Sequence, residues 1–481
     1  MKTITTHYIN GKFVESHGKE TLDLVRPTDK QVIGRVTLGD EDDTRRAIQA
    51  AKEAFTSFSK TTVEQRGQYL QQLYEAFATR INDNAAIMVE EYGGIYQFSK
   101  ASATRAAQSF LQAKKHLSEV PFQKIAGTAT VSLEPVGVAG LITPWNASTS
   151  FVCSKVAAAL AAGCTVVCKP SELSAMQTQL AMECFDAAGL PPGVVNIVNG
   201  RGDVVGAEIT RNPDVAKISF TGSTVVGKSI TRDATATLKR VTLELGGKSP
   251  HIILDDADLS KAVPFALSAG FLNNGQACIA GTRLIVPESR LDEVKRLIKE
   301  AIQAMKVGNP ADPDTALGPI VTERQYNRVE SYIRKGIEEG AEILIGGEGA
   351  PQGLEAGYFV KPTVFVNVTN DMMIAREEIF GPVLCIISYK TEADAIAIAN
   401  DSAYGLQAYV STSDMDRGKK VANQIVAGRV MINSFYDEPS APFGGFKQSG
   451  IGREFGVYGI QAYLETKATF GDRPTRTLQA R

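Results

Sequence analysis

From about residue 136 onward, short apolar runs alternate with helical stretches, and this alternation limits the fold more than any other feature of the chain. The first runs are Val136–Ile142, Thr165–Cys168, Val194–Val198, Ala216–Phe220 and Val241–Leu245. None shows the clean apolar/polar alternation of a strand with one wet face. Continuous apolar runs suit strands covered on both faces. Such strands, separated by helices, build a parallel, doubly wound sheet, so the fold class is read as α/β. After Gly246-Gly247 the pattern repeats. Strands are expected at Arg283–Val286, Phe365–Val368 and Val383–Tyr389, with Tyr326, Val329, Ile333 and Ile337 on one helical face between them. A second α/β domain therefore starts near residue 247. Upstream, Leu70, Leu73, Tyr74, Phe77 and Ile81 share a helical face, and Asn10-Gly11 turns a hairpin within Tyr8–Phe13.

Bulk properties exclude several classes. The 481 residues suffice for two to four domains at about 100–200 residues each. A net charge of −2 draws the chain neither to nucleic acid nor to anionic lipid. Met1–His7 leads into no apolar region of a secretory signal. The long apolar stretch Phe151–Cys168 is interrupted by Lys155 and Gly163. It falls short of the roughly 20 apolar residues of a membrane span and reads as a buried helix followed by a buried strand. Six cysteines form no disulfide framework, so a reducing cytoplasm is the expected location. His7, His17, His116 and His251 are scattered, and no metal site is expected. There is no G-x-S-x-G elbow and no Walker A loop.

Five local patterns carry chemistry, each with a plainer alternative. Asn273-Asn274-Gly275-Gln276-Ala277-Cys278 puts a cysteine just after a glycine turn, where a nucleophile is accessible; a buried cysteine is the alternative. Thr242-Leu243-Glu244-Leu245-Gly246-Gly247-Lys248 puts a glutamate inside an apolar strand. Burial raises a carboxyl pKa toward that of a general base, whereas a surface partner at the strand end makes it structural. Phe220-Thr221-Gly222-Ser223 runs from a strand into a helix start, which binds phosphate or is simply capped. Thr143-Pro144-Trp145-Asn146 offers a loop amide for an oxyanion, or a turn asparagine beside a core tryptophan. Lys169-Pro170-Ser171-Glu172 grips a ribose or is a solvated loop. Gly200-Arg201-Gly202 follows a strand, but the third glycine, Gly206, is one residue late for G-x-G-x-x-G.

Taken together and in this order, these motifs resemble the aldehyde dehydrogenase superfamily from Asn10-Gly11 to about Leu464. Glu377-Glu378-Ile379-Phe380-Gly381-Pro382-Val383 and Pro442-Phe443-Gly444-Gly445-Phe446-Lys447 extend the match. The resemblance implies Cys278 as nucleophile, Glu244 as general base, Asn146 as oxyanion donor beside the Cys278 amide, and Lys155 with Glu454 as a proton-relay pair. It implies an NAD cleft, with NADP possible. The cleft is built from Ile142, Thr143, Pro144, Trp145, Lys169, Ser171, Glu172, Gly202, Phe220, Gly222, Ser223, Leu245, Gly246, Glu378 and Phe380. It also implies a substrate pocket from Ala147, Phe151, Ser154, Ala277, Ile279, Phe435 and Phe443. The domains implied are a cofactor domain (1–113 and 136–246), a catalytic domain (247–448) and a bridging β-arm (114–135 and 449–481) that makes homodimers or homotetramers. The tail 471–481 is polar, a loose end or an intersubunit strand.

The implied reaction is oxidation of an aldehyde to an acid through a Cys278 thioester that Glu244-activated water hydrolyses. Relatives that acylate coenzyme A generally lack this glutamate. That outcome, and a catalytically silent binding protein, are the alternatives. The sequence departs from many relatives at Ala147-Ser148-Thr149-Ser150, where an aromatic and a proline are usual; a wider tunnel, made more polar by Ser148 and Ser154, is expected. Phe435-Tyr436-Asp437-Glu438 puts two acids at the rim, read as solvated rather than as a site for cationic aldehydes. Glu172 favours NAD, since a carboxylate accepts ribose hydroxyls and repels a 2′-phosphate.

Overall fold

The computed structural model describes residues 2–435 and 438–471. Two large sheets dominate it, each covered by helices. The first has eight strands, in spatial order Gly450–Ile451, Arg240–Glu244, Val215–Thr221, Val138–Ile142, Thr165–Lys169, Val195–Ile197, Thr6–Ile9 and Lys12–Glu15. The five central strands are parallel and the flanking ones antiparallel. The strand first in sequence among the five, Val138–Ile142, lies between the second and the fourth. Strand order therefore reverses beside it, and the carboxyl ends of Val138–Ile142 and Val215–Thr221 open a crevice. Ligands of doubly wound sheets bind at such a point.

The second sheet has seven strands, in order Glu342–Ile345, Thr363–Val366, Val383–Tyr389, Arg283–Pro287, Pro250–Ile253, Gln407–Ser411 and Arg429–Ile432. All pairings are parallel except that of Glu342–Ile345. A small sheet joins Leu464–Phe470, Ala129–Pro135 and Gln123–Ala126.

Local chemistry explains where the elements stop. Asn10 and Gly11 both take positive φ (54° and 72°), the pairing a two-residue hairpin needs. The expected run Val136–Ile142 is cut by Gly137 at φ 132°, so Pro135 ends the small sheet and Val138 starts the large one. The strand expected at Phe365–Val368 lies at Thr363–Val366, because Asn367 turns left-handed at φ 57°. Ile81 does not continue the face of Leu70, Leu73 and Phe77; that helix is Val63–Ala78, and Ile81 opens the next one. Of the face carrying Val329 and Ile333, Ile337 is 44% exposed. Gly450–Ile451, expected with the arm, instead pairs with Leu243 and Glu244 at the edge of the eight-stranded sheet. Residues 472–481 of the tail lie outside the described residues. Ser148–Ala162 and Thr165–Lys169 form the buried helix and strand, and among the described residues no helix is long and apolar enough to cross a membrane.

Candidate active site

The loop that carries Cys278 follows the helix Leu259–Gly270. Asn273, Asn274 and Gly275 take φ of 54°, 59° and 72° in succession. Asparagine and glycine tolerate this region best. The side-chain amides then pin the turn. Asn273 Nδ2 donates to the carbonyl of Asn146 at 2.9 Å. Asn274 accepts from the Gly318 amide at 2.8 Å, and Gln276 accepts from the Val321 amide at 3.1 Å. A Cβ on Gly275 would lie 2.2 Å from the Gly381 backbone, so the loop is pressed against the Glu377–Val383 motif. The sequence signal for this turn is the Asn-Asn-Gly run, whose residues suit left-handed backbone.

Cys278 is partly exposed, whereas the other five cysteines are buried. Burial pushes its thiol up to about 12, and the Glu378 and Glu244 carboxylates push the same way; the amides of Cys278 and Ile279 oppose them. The thiol is therefore neutral near pH 7 in this structure, and thiolate formation requires a change in its surroundings.

Asn146 Nδ2 donates to the Gln276 carbonyl at 2.9 Å. A primary amide has two N–H groups, so one remains for a ligand. Glu244 ends its strand at 2% exposure. Neither of its carboxylate oxygens has a hydrogen-bond partner among the described residues. A Cβ on Gly444 would come within 2.8 Å of Oε1, so the glycine leaves room for the carboxylate. Burial, then Glu454, raises the Glu244 pKa well above the ordinary carboxylate range, while Lys155 and Arg453 oppose the shift. Lys155, from the helix Ser148–Ala162, forms an ion pair with Glu454, and its Nζ also donates to Ser219 Oγ at 2.9 Å. Ser219 Oγ donates to Glu454 at 3.1 Å.

Glu378 completes the cluster. Its Oε1 accepts from the Gly247 amide at 3.0 Å, and a Cβ on Gly246 would lie 2.5 Å from its Oε2. Burial raises its pKa to about 7. Phe380 packs edge-on against Trp145 at 5.4 Å, and a Cβ on Gly247 would touch the Cys278 carbonyl at 2.4 Å.

The remaining residues of the expected cofactor cleft border the crevice in the first sheet. Ile142 and Phe220 pair across it, and the Thr143 amide donates to the Lys169 carbonyl at 3.1 Å. The hydroxyls of Thr143 and Thr221 are buried without a hydrogen-bond partner among the described residues. Gly222 and Ser223 open the helix Thr224–Ala234, where Ser223 Oγ accepts from the Val226 amide at 3.4 Å. The other amides of that first turn suit a pyrophosphate. Lys169 Nζ pairs with Glu172 at 2.7 Å, and Ser171 caps the amide of Leu173 at 3.3 Å. Leu245 donates its amide to the Ser449 carbonyl at 2.9 Å, which ties the strand end to the chain's last hundred residues. Gly202 begins a π-helical turn, Gly202–Gly206, rather than the α-helix of a G-x-G-x-x-G motif. A dinucleotide fits the residues of this cleft, which has a helix start suited to phosphate, the carboxylates Glu172 and Glu378, and buried hydroxyls without protein partners among the described residues.

A cavity of about 160 Å³ lies beside this cluster. Ala147, Phe151 and Ser154 line it, as do Lys155 and Glu454; Ala277, Ile279, Phe435 and Phe443 do not. Phe435 packs on Phe265 at 4.6 Å, and Phe443 on Phe455 at 5.4 Å. Tyr436 and Asp437 lie outside the described residues, and Glu438 is exposed. Among the described residues no group of three or more His, Cys, Asp or Glu is placed to hold a metal.

A crevice suited to a dinucleotide, beside a cysteine and a buried glutamate, is the arrangement of an oxidoreductase. Comparison with known proteins narrows the class. The family model described as "Aldehyde dehydrogenase family" matches residues 13–469, and the chain belongs to this family. It is 45% identical to a 3-succinoylsemialdehyde-pyridine dehydrogenase of Pseudomonas sp, over 98% of this chain and 99% of that one. The structure resembles an aldehyde dehydrogenase C mutant of Pseudomonas syringae in complex with NAD+ and octanal. The TM-score is 0.96 and the identity 44%, over 98% of this chain and 97% of that one. It also resembles a Staphylococcus aureus betaine aldehyde dehydrogenase in complex with NAD+, with TM-score 0.94 and 36% identity over 97% and 95% of the two chains. The protein is an aldehyde dehydrogenase.

Proposed function

We propose that the protein converts aldehydes to carboxylic acids through Cys278 and that water, not coenzyme A, releases the product. The observation that carries this reading is Glu244, a carboxyl 2% exposed with both oxygens unpartnered, whose charge bears on the Cys278 thiol. Burying such a group without partners costs about 1–3 kcal/mol, and such an unsatisfied acid at a strand end suits proton transfer.

The Cys278 thiol gives its proton to solvent water, and Sγ bonds to the carbonyl carbon as the C=O π pair moves onto oxygen. The spare N–H of Asn146 and the Cys278 amide receive the charge that develops on the oxygen. Bound NAD supplies the hydride acceptor, leaving the acyl group as a thioester on Cys278. Glu244 then takes a proton from a water whose oxygen bonds to the acyl carbon; the C–S bond breaks, the carboxylic acid is released and Cys278 returns as the thiolate. Lys155 and Glu454 line the neighbouring cavity and carry that proton toward solvent. Glu172 receives the adenosine ribose and disfavours a 2′-phosphate, which makes NAD the preferred cofactor over NADP.

The test follows NADH formation across a panel of aldehydes, with and without coenzyme A, for wild type and Cys278→Ala. Coenzyme-A-independent NADH that vanishes in the variant is expected. A strict need for coenzyme A contradicts the hydrolytic reading, and no NADH with any aldehyde contradicts the activity. We also read the small sheet as an oligomer surface, since Ile125 and Phe470 on it are 56% and 74% exposed. Light scattering is expected to report a dimer or tetramer.

A further inference from the structure

The cavity beside Ala147 has walls of unequal chemistry. One wall is a face of the helix Ser148–Ala162, with small or hydroxyl side chains at Ser150 and Ser154. The opposing wall is the helix Tyr96–Leu117, where Arg105, Gln108, Ser109 and Gln112 fall at the spacing of one helical face. The charges on these walls are mostly committed. Lys155 is paired with Glu454, and His116 faces Glu119 at 3.0 Å. Arg453 is turned onto the carbonyls of Gly445 and Gly452. Arg105 is exposed, and its guanidinium has neither an ion pair nor a hydrogen bond among the described residues. Glu438, a rim acid, accepts instead from the Ser440 amide at 2.9 Å. Among the described residues, the cavity's two arginines have no acid partner, and the one carboxylate lining it is paired with Lys155.

We propose that this cavity selects aldehydes whose far end is a carboxylate, held at the mouth by Arg105 with Gln108 and Gln112 beside it. This specificity rests on the aldehyde-oxidising reading. A guanidinium presents paired donors that match a carboxylate, while Ser150 and Ser154 suit a polar chain between the two ends.

The experiment compares glutarate semialdehyde with pentanal, equal in chain length, for wild type, Arg105→Gln and Arg105→Lys. Wild type is expected to favour the semialdehyde by roughly 10- to 100-fold in kcat/KM, the range of a charge-assisted contact. Arg105→Gln is expected to lose that preference through KM while keeping its rate with pentanal, and Arg105→Lys to restore part of it. No preference in wild type, or an equal fall for both substrates in Arg105→Gln, overturns the proposal. A second readout needs no turnover: calorimetric titration with glutarate against the uncharged pentane-1,5-diol. If no aldehyde yields NADH, the activity reading fails and the titration alone decides the anion site. Tighter glutarate binding that Arg105→Gln abolishes upholds the site; equal binding of the acid and the diol overturns it.

Discussion

Glu244 is buried and Glu378 partly buried, and both bear on the Cys278 thiol, yet their surroundings differ. Glu378 accepts a backbone amide from Gly247 and is wedged against Gly246, so one position is fixed for it. Glu244 has no donor for either oxygen among the described residues, and its nearest charged company is Glu454, Lys155 and Arg453. A carboxylate anchored by the backbone is suited to hold a ligand. One without a partner, next to an ion pair that reaches a cavity, is suited to exchange protons. The difference arises from the chain segments behind them: one faces a glycine amide, the other the side chain-free gap left by Gly444.

The largest way to break this contrast is Glu244→Gln. The steady-state rate is expected to fall by roughly 10²–10⁴, the usual weight of a general base, while the first-turnover burst of NADH persists. Rapid-mixing traces decide it, and an unchanged steady state removes Glu244 from the hydrolytic step. A smaller effect is expected from Glu454→Gln. Glu454 raises the Glu244 pKa, so neutralising it lowers that pKa and moves the acid limb of the pH–rate profile to lower pH. A limb that stays in place or moves upward contradicts the coupling.

The smallest effect concerns Glu378 and stability. Its pKa is raised from 4.5 to about 7 by burial. The folded protein therefore holds this proton more tightly than the unfolded chain. The associated stabilisation is full below pH 4.5 and is lost as the pH rises through about 7, a change of about 3 kcal/mol. Glu378→Gln removes this dependence. Thermal unfolding at pH 5 and pH 8 is expected to show the variant gaining on wild type at the higher pH. Equal differences at both values sink the assignment.

Much of this arrangement is legible in the residues. The apolar runs place most of the central strands because a two-sided buried strand admits few polar residues. The motifs around Cys278, Glu244 and Asn146 mark the site because each departs from the composition of its surroundings. Less legible were the strands Pro250–Ile253, Gln407–Ser411 and Arg429–Ile432, whose short runs carry polar or charged residues that only burial against neighbours accommodates. The substrate wall was legible on one side alone. Ala147, Phe151 and Ser154 follow the asparagine motif, but Arg105 lies on a helix remote in sequence with no local signature.

The sequence by itself determined the family, the α/β fold and the identity of the candidate chemical groups, because these depend on local pattern and on motifs read in order. Only the tertiary structure decided their electrical state. Whether Glu244 lacks a partner, whether the thiol is neutral, and which sign of charge the cavity leaves uncompensated depend on contacts between segments tens to hundreds of residues apart. Burial and Coulomb interactions act through space, and the order of residues alone does not contain those distances.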